Sequence, residues 1–156
     1  MSKNIWREIE ARVEMGRQRV ETQRTRQRIR YTAEIFTPSS LVVRITRTIP
    51  ESEFGPGKRV FDPACGDGQF LDAAKWVKVL IHGMTPDDAL SDIYGIDILR
   101  DNVDRTLDRL GGGVVVMADA LNPGRRLEGQ RPDEWSVAQE LLASSGGAKG
   151  AELQLF

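Results

Sequence analysis

The chain has 156 residues, of which 40% are hydrophobic and 29% charged, with a formal net charge of −1. Such a length suits one domain with appendages around a single core, and the composition is that of a globular protein. No apolar run approaches the ~20 residues of a membrane span, and Met1-Ser2-Lys3-Asn4-Ile5-Trp6 carries no signal-peptide core. A cytoplasmic protein without a membrane partner is expected. One cysteine and one histidine exclude an intramolecular disulfide and a Cys/His metal cluster.

The charge is unevenly spread. Residues 1–31 hold nine basic side chains against four acidic ones, a net of +5, and the remainder carries −6. A basic arm on an acidic body predicts either a polyanion contact or a solvated helix that neutralises its own body. Residues 4–30 read as one helix, free of proline, with Gly16 its weak point. Trp6, Ile9, Val13 and Val20 form a sparse stripe that could dock on a partner. Thr37-Pro38 reads as a helix start, threonine capping and proline in the first turn. Leu41, Val42, Ile45 and Ile49 then line one face until Pro50, and residues 51–58 form a loop.

Arg59–Asp62 reads as a first strand and 69–82 as a helix with Phe70, Ala73, Ala74, Val77, Leu80 and Ile81 inward, stopped by Gly83. Thr85-Pro86-Asp87-Asp88 opens a short capped helix. Residues 93–98 form a second strand, 102–110 a helix, and Val114–Met117 a third strand. Alternating strands and helices predict an α/β fold: a partial Rossmann-like sheet of about three parallel strands, with the basic N-terminal helix appended. Residues 122–132 are turn-rich and 133–143 a short helix. Residues 144–156 read as a Ser/Gly linker with an apolar tail.

The string Asp62-Pro63-Ala64-Cys65-Gly66-Asp67-Gly68-Gln69-Phe70-Leu71 joins the first strand to its helix. A strand end, glycines and a helix N-terminus together suit a nucleotide-like ligand. The string resembles motif I of S-adenosylmethionine-dependent adenine-N6 DNA methyltransferases of the type I modification-subunit kind. Upstream, Phe36-Thr37-Pro38 resembles motif X, where the threonine and neighbouring backbone hold the cofactor's carboxylate. Tyr94-Gly95-Ile96-Asp97-Ile98 resembles motif II, whose acid accepts from the ribose hydroxyls while the next residue packs on adenine. Ala118-Asp119-Ala120-Leu121 resembles motif III, where the aspartate accepts from the adenine amino group.

The resemblance implies S-adenosylmethionine as cofactor, held by Thr37, Pro38, Asp62, Pro63, Ala64, Cys65, Gly66, Asp97, Ile98, Asp119 and Ala120. It covers residues 32–121. Asp62 would orient loop amides or the cofactor ammonium, and Cys65 would line the pocket rather than act as a nucleophile. The family's catalytic string, Asn or Asp followed by Pro-Pro and an aromatic, is absent. Asn122-Pro123-Gly124 lacks the second proline and the aromatic. No fourth strand is expected, so a protein partner or second copy would cover the sheet edge and supply catalysis. DNA would meet the basic helix. The alternative is a non-catalytic, phage-type regulator or decoy on a degenerate methyltransferase fold.

Glu152-Leu153-Gln154-Leu155-Phe156 resembles the pentapeptide by which bacterial proteins bind the sliding clamp. Leu153, Leu155 and Phe156 would be its apolar anchors, although Glu152 departs from the usual glutamine. The competing reading is that these residues pack on the body.

Overall fold

A computed structural model describes residues 2–21, 37–146 and 153–155, the last three by their backbone. Its elements run α1 (Ser2–Glu21), α2 (Ser39–Thr46), a 3₁₀ turn (Glu51–Phe54), β1 (Arg59–Asp62), α3 (Gln69–Leu80) and α4 (Pro86–Leu90). There follow β2 (Ile93–Asp97), α5 (Arg100–Leu110), β3 (Val114–Met117), α6 (Pro132–Gly146) and β4 (Leu153–Leu155). The strands form one parallel sheet in the order β3-β2-β1-β4. Val60 pairs with Ile93 and Asp62 with Gly95, while Tyr94 pairs with Val114 and Asp97 with Met117. The α/β, Rossmann-like expectation holds. Among the described residues no helix is long and apolar enough to cross a membrane.

Both sheet faces are covered, as a parallel sheet requires. Side chains alternate along each strand. Val60, Ile93, Val115 and Met117 join the larger core with α1, α2, α3 and α5. Phe61, Ile96, Val116 and Ala118 face the other way, onto Ala138 and Leu141 of α6. Burying an aliphatic side chain stabilises by about 1.5–3 kcal/mol, so these two layers dominate the stability. Thr85 performs the expected cap of α4, its Oγ1 accepting from the Asp88 amide at 3.2 Å and donating to the Asp88 carboxylate at 2.8 Å.

The structure corrects several expectations. The stripe on α1 docks on this chain rather than a partner: Trp6, Ile9 and Val13 are buried against the body. Residues 22–36, and with them the rest of the expected helix, lie outside the described residues. Thr37 is not the cap of α2. The helix starts at Ser39 with Pro38 (φ −57°, ψ 142°) at the N-cap and no side-chain capping bond. A fixed proline φ with extended ψ suits that position as well as the first turn. On α2, Val42, Val43 and Thr46 are buried, whereas Ile45 is 40% exposed.

The largest correction is a fourth strand. The backbone of Leu153–Leu155 pairs in parallel with β1, Arg59 opposite Leu153 and Phe61 opposite Leu155. That edge of β1 therefore needs no second subunit to satisfy its backbone. Residues 144–146, expected in the linker, complete α6. Phe156 lies outside the described residues.

Candidate functional site

In parallel sheets ligands bind beyond the carboxyl ends of the strands, where the strand order reverses. Here the order reverses around β1, and a cavity of about 240 Å³ lies beyond the ends of β1 and β2. Thr37, Asp62, Ala64, Cys65, Gly66 and Asp97 line it, together with Asp67, Gln69, Phe70 and Asn102. Six of the eleven residues singled out in the sequence thus share one wall. Pro38, Pro63, Ile98, Asp119 and Ala120 are outside the lining.

The loop from Asp62 to Gly68 is held by bonds that reach across elements. Asp62 Oδ1 accepts from the Ala64 amide at 3.0 Å, and the Cys65 amide donates to the Ile96 carbonyl at 2.9 Å. Asp97 ties three segments together, accepting from the amides of Gly66 and Leu99 at 2.9 Å each and from Asn102 Nδ2 at 3.1 Å. Gly68 caps α3 at φ +84°, and a Cβ there would stand 2.6 Å from Thr106 Cγ2. Only glycine meets both conditions. Thr106 in turn donates to the Gly66 carbonyl at 3.0 Å.

Behind the loop lies an ion network that the sequence did not reveal. Arg109, 4% exposed, donates to Asp67 at 3.2 Å, to Asp72 at 3.0 Å and to the Val13 carbonyl at 2.7 Å. It links the cavity wall to α3 and α1. Gly16 is where α1 passes close to this network, since a Cβ there would lie 2.7 Å from Asp72 Oδ2. Burial raises the Asp72 pKa, and the Arg109 charge opposes that rise.

The cavity is acidic, with Asp62, Asp67 and Asp97 and no lysine or arginine in its lining. Burial pushes Asp62 up to about 6; the Ala64 amide holds it down and the Asp97 charge adds to the rise. Burial, then Asp62 and Asp97, push the Cys65 thiol well up. A thiol held protonated is a poor nucleophile, which agrees with a lining role. Gln69, 4% exposed, brings a buried Oε1 with no hydrogen-bond partner to the same wall. Its place one residue after the last glycine was the only sequence signal for it.

Asp119 is satisfied by its own turn. It accepts from the amides of Leu121 and Asn122 at 3.0 Å each and meets Arg125 at 3.5 Å. Ile98 is 46% exposed beside Asp97, and Ala120 packs against the α6 layer. Among the described residues no group of three or more His, Cys, Asp or Glu could hold a metal ion. Comparisons of the chain with protein-family models, curated proteins and solved structures return no match.

Proposed function

We propose that this chain binds S-adenosylmethionine as the cofactor-holding part of an adenine-N6 DNA methyltransferase system, with the catalytic face supplied by a partner. The observation that carries this reading is the convergence of Thr37, Asp62, Ala64, Cys65, Gly66 and Asp97 on one acidic cavity. The residues fit that ligand: carboxylates without a lining cation favour a molecule bearing a sulfonium and an ammonium, and the open Gln69 acceptor suits an N–H or O–H donor. A cavity of about 240 Å³ is small for a whole nucleoside conjugate. The enclosed part suits the methionine end, and exposed Ile98 offers an apolar surface for adenine.

When bound, the cofactor would supply an electrophilic methyl group. In this reading Asp62 neutralises positive charge, Asp97 holds Gly66 and Asn102 in place at the wall, and Thr37 completes the lining. No residue of the chain is assigned to activate a target amine, because no Asn/Asp-Pro-Pro-aromatic string is present. Asp119 is withdrawn from the adenine contact in favour of its turn. The non-catalytic regulator uses the same cavity without transfer. Clamp binding by Leu153, Leu155 and Phe156 competes with β4, whose residues would have to leave the sheet.

Calorimetric titration with S-adenosylmethionine tests the reading. Wild-type protein should bind and Asp97→Ala should bind at least tenfold more weakly; absence of heat from folded wild-type protein sinks it. Methyl transfer to DNA by the purified chain alone is expected to be nil, and activity restored by a partner would separate the enzyme from the regulator.

A further inference from the structure

Two neighbouring residues of α1 reach two different segments that line the cavity. The Val13 carbonyl accepts from Arg109 at 2.7 Å, and Arg109 in turn holds Asp67 of the loop after β1. Glu14, the next residue, accepts from Ser39 Oγ at 2.7 Å. Ser39 is 4% exposed and opens α2 two residues after Thr37, which lines the cavity. The N-cap of α2 makes no side-chain capping bond, and the Glu14 carboxylate brings negative charge to the first turn, where the helix dipole favours it. Hydrogen bonds from Arg17 first and Ser39 second hold the Glu14 pKa down to about 2 against burial. The carboxylate is therefore ionised at neutral pH, and Ser39 is the donor.

We infer that Glu14 is a positioning residue of the cavity: its bond to Ser39 seats the first turn of α2 and thereby sets where Thr37 stands. The connection is stiff. Pro38 lies between Thr37 and Ser39 with φ fixed at −57°, and its carbonyl accepts from the amides of Leu41 and Val42 at 2.9 and 3.0 Å. The residue before a proline is itself restricted, so a shift of α2 carries Thr37 with it. α1 has little slack to give. Gly16 passes so near α3 that a Cβ would lie 2.7 Å from Asp72 Oδ2, and Arg19 donates to the Asp108 and Arg109 carbonyls at the end of α5. Docked α1 thus fixes Asp67 through Val13 and Thr37 through Glu14. Its docking and the occupancy of the cavity are coupled: whatever holds α1 down tightens binding, and a bound ligand holds α1 down. The coupling needs the cavity and not the identity of its ligand; only the cofactor titration rests on the S-adenosylmethionine reading.

The chain's one cysteine, Cys65, is 6% exposed and lines the cavity, so its rate of alkylation by iodoacetamide reports on cavity opening with no ligand present. Loss of the charge-assisted bond in E14A should speed labelling of the full chain about tenfold. S39A should do the same. The double variant E14A/S39A should be no faster than either single one, whereas two independent losses would multiply to about a hundredfold. E14Q keeps an acceptor at the same reach and should stay within about threefold of wild type. The control V116A removes buried methyl groups from the α6 layer and lowers Tm, but should label like wild type. Unchanged labelling of E14A, multiplying effects in the double variant, or acceleration by V116A equal to that by E14A would each overturn the proposal. In calorimetric titration with S-adenosylmethionine, E14A should bind about tenfold more weakly and E14Q within about threefold of wild type. Wild-type binding with E14A unchanged overturns the positioning role. Absence of wild-type binding overturns the cofactor reading, and the labelling rates then decide the role of Glu14.

Discussion

Two strand-end aspartates in this molecule have opposite fates. Asp62 closes β1, is 5% exposed, and sits in a loop tied to β2 and α5 by Cys65, Gly66 and Thr106. Asp119, just past β3, spends its oxygens on amides two and three residues away and on an exposed arginine. In sequence both are an acid that closes a short apolar run. What separates them is long-range contact. A site forms where neighbouring elements constrain the turn and keep a carboxylate out of water; a turn that satisfies itself stays a turn.

The sharpest way to break the contrast is at Arg109. Replacement by methionine leaves Asp67 and Asp72 buried without their cation, and about 3–5 kcal/mol of stability should go. Urea unfolding measures this; a loss under 1 kcal/mol would mean the network is not what holds the loop to α1. Gly68→Ala comes next, with its strained φ and the blocked Cβ, and should cost about 3 kcal/mol, lowering Tm by roughly 6–12 °C. Its counterpart in the other loop, Gly124→Ala, meets nothing within 4 Å and should change stability by less than about 0.5 kcal/mol. If the two alanines cost the same, the contrast between the loops fails.

Asp62 gives a prediction of opposite sign. Its pKa rises from 3.8 to about 6 in the folded protein, so the native state holds the proton more tightly than the unfolded chain. Stability therefore falls as pH rises between about 4 and 6, and above pH 6 the ionised carboxylate costs about 3 kcal/mol. Asp62→Asn keeps an acceptor for the Ala64 amide and removes the charge. It should raise Tm at pH 7.5, with the gain vanishing below about pH 4. The same variant should bind S-adenosylmethionine more weakly, and wild-type affinity should rise from pH 5 to 7 as Asp62 ionises. The smallest effect is at Asp119: Asp119→Ala frees two amides at the surface and should cost about 1 kcal/mol with cofactor binding unchanged.

How much was legible depended on distance along the chain. The turn from Arg59 to Phe70 could be read because its glycines, acid and helix start are adjacent and each obeys local stereochemistry. The N-terminal helix was legible as a helix, but its apolar stripe does not say whether Trp6, Ile9 and Val13 meet this body or another. The Thr37-Pro38 start was misplaced by one position, since proline fits both the N-cap and the first turn. Arg109 carried no local signal, as its partners lie 37, 42 and 96 residues away. The fourth strand was missed because three residues after a Ser/Gly stretch alternate like a strand and equally like a binding peptide.

The sequence by itself determined the alternation of strands and helices, the glycine turn after β1 and the acidic character of its surroundings. Each follows from side-chain period, backbone sterics and charge within a few residues. Tertiary structure decided which acids were desolvated, which carboxylates Arg109 met, and where residues 153–155 joined the sheet. Desolvation, ion pairing and strand pairing are properties of neighbours brought together by folding, and chain order does not specify neighbours.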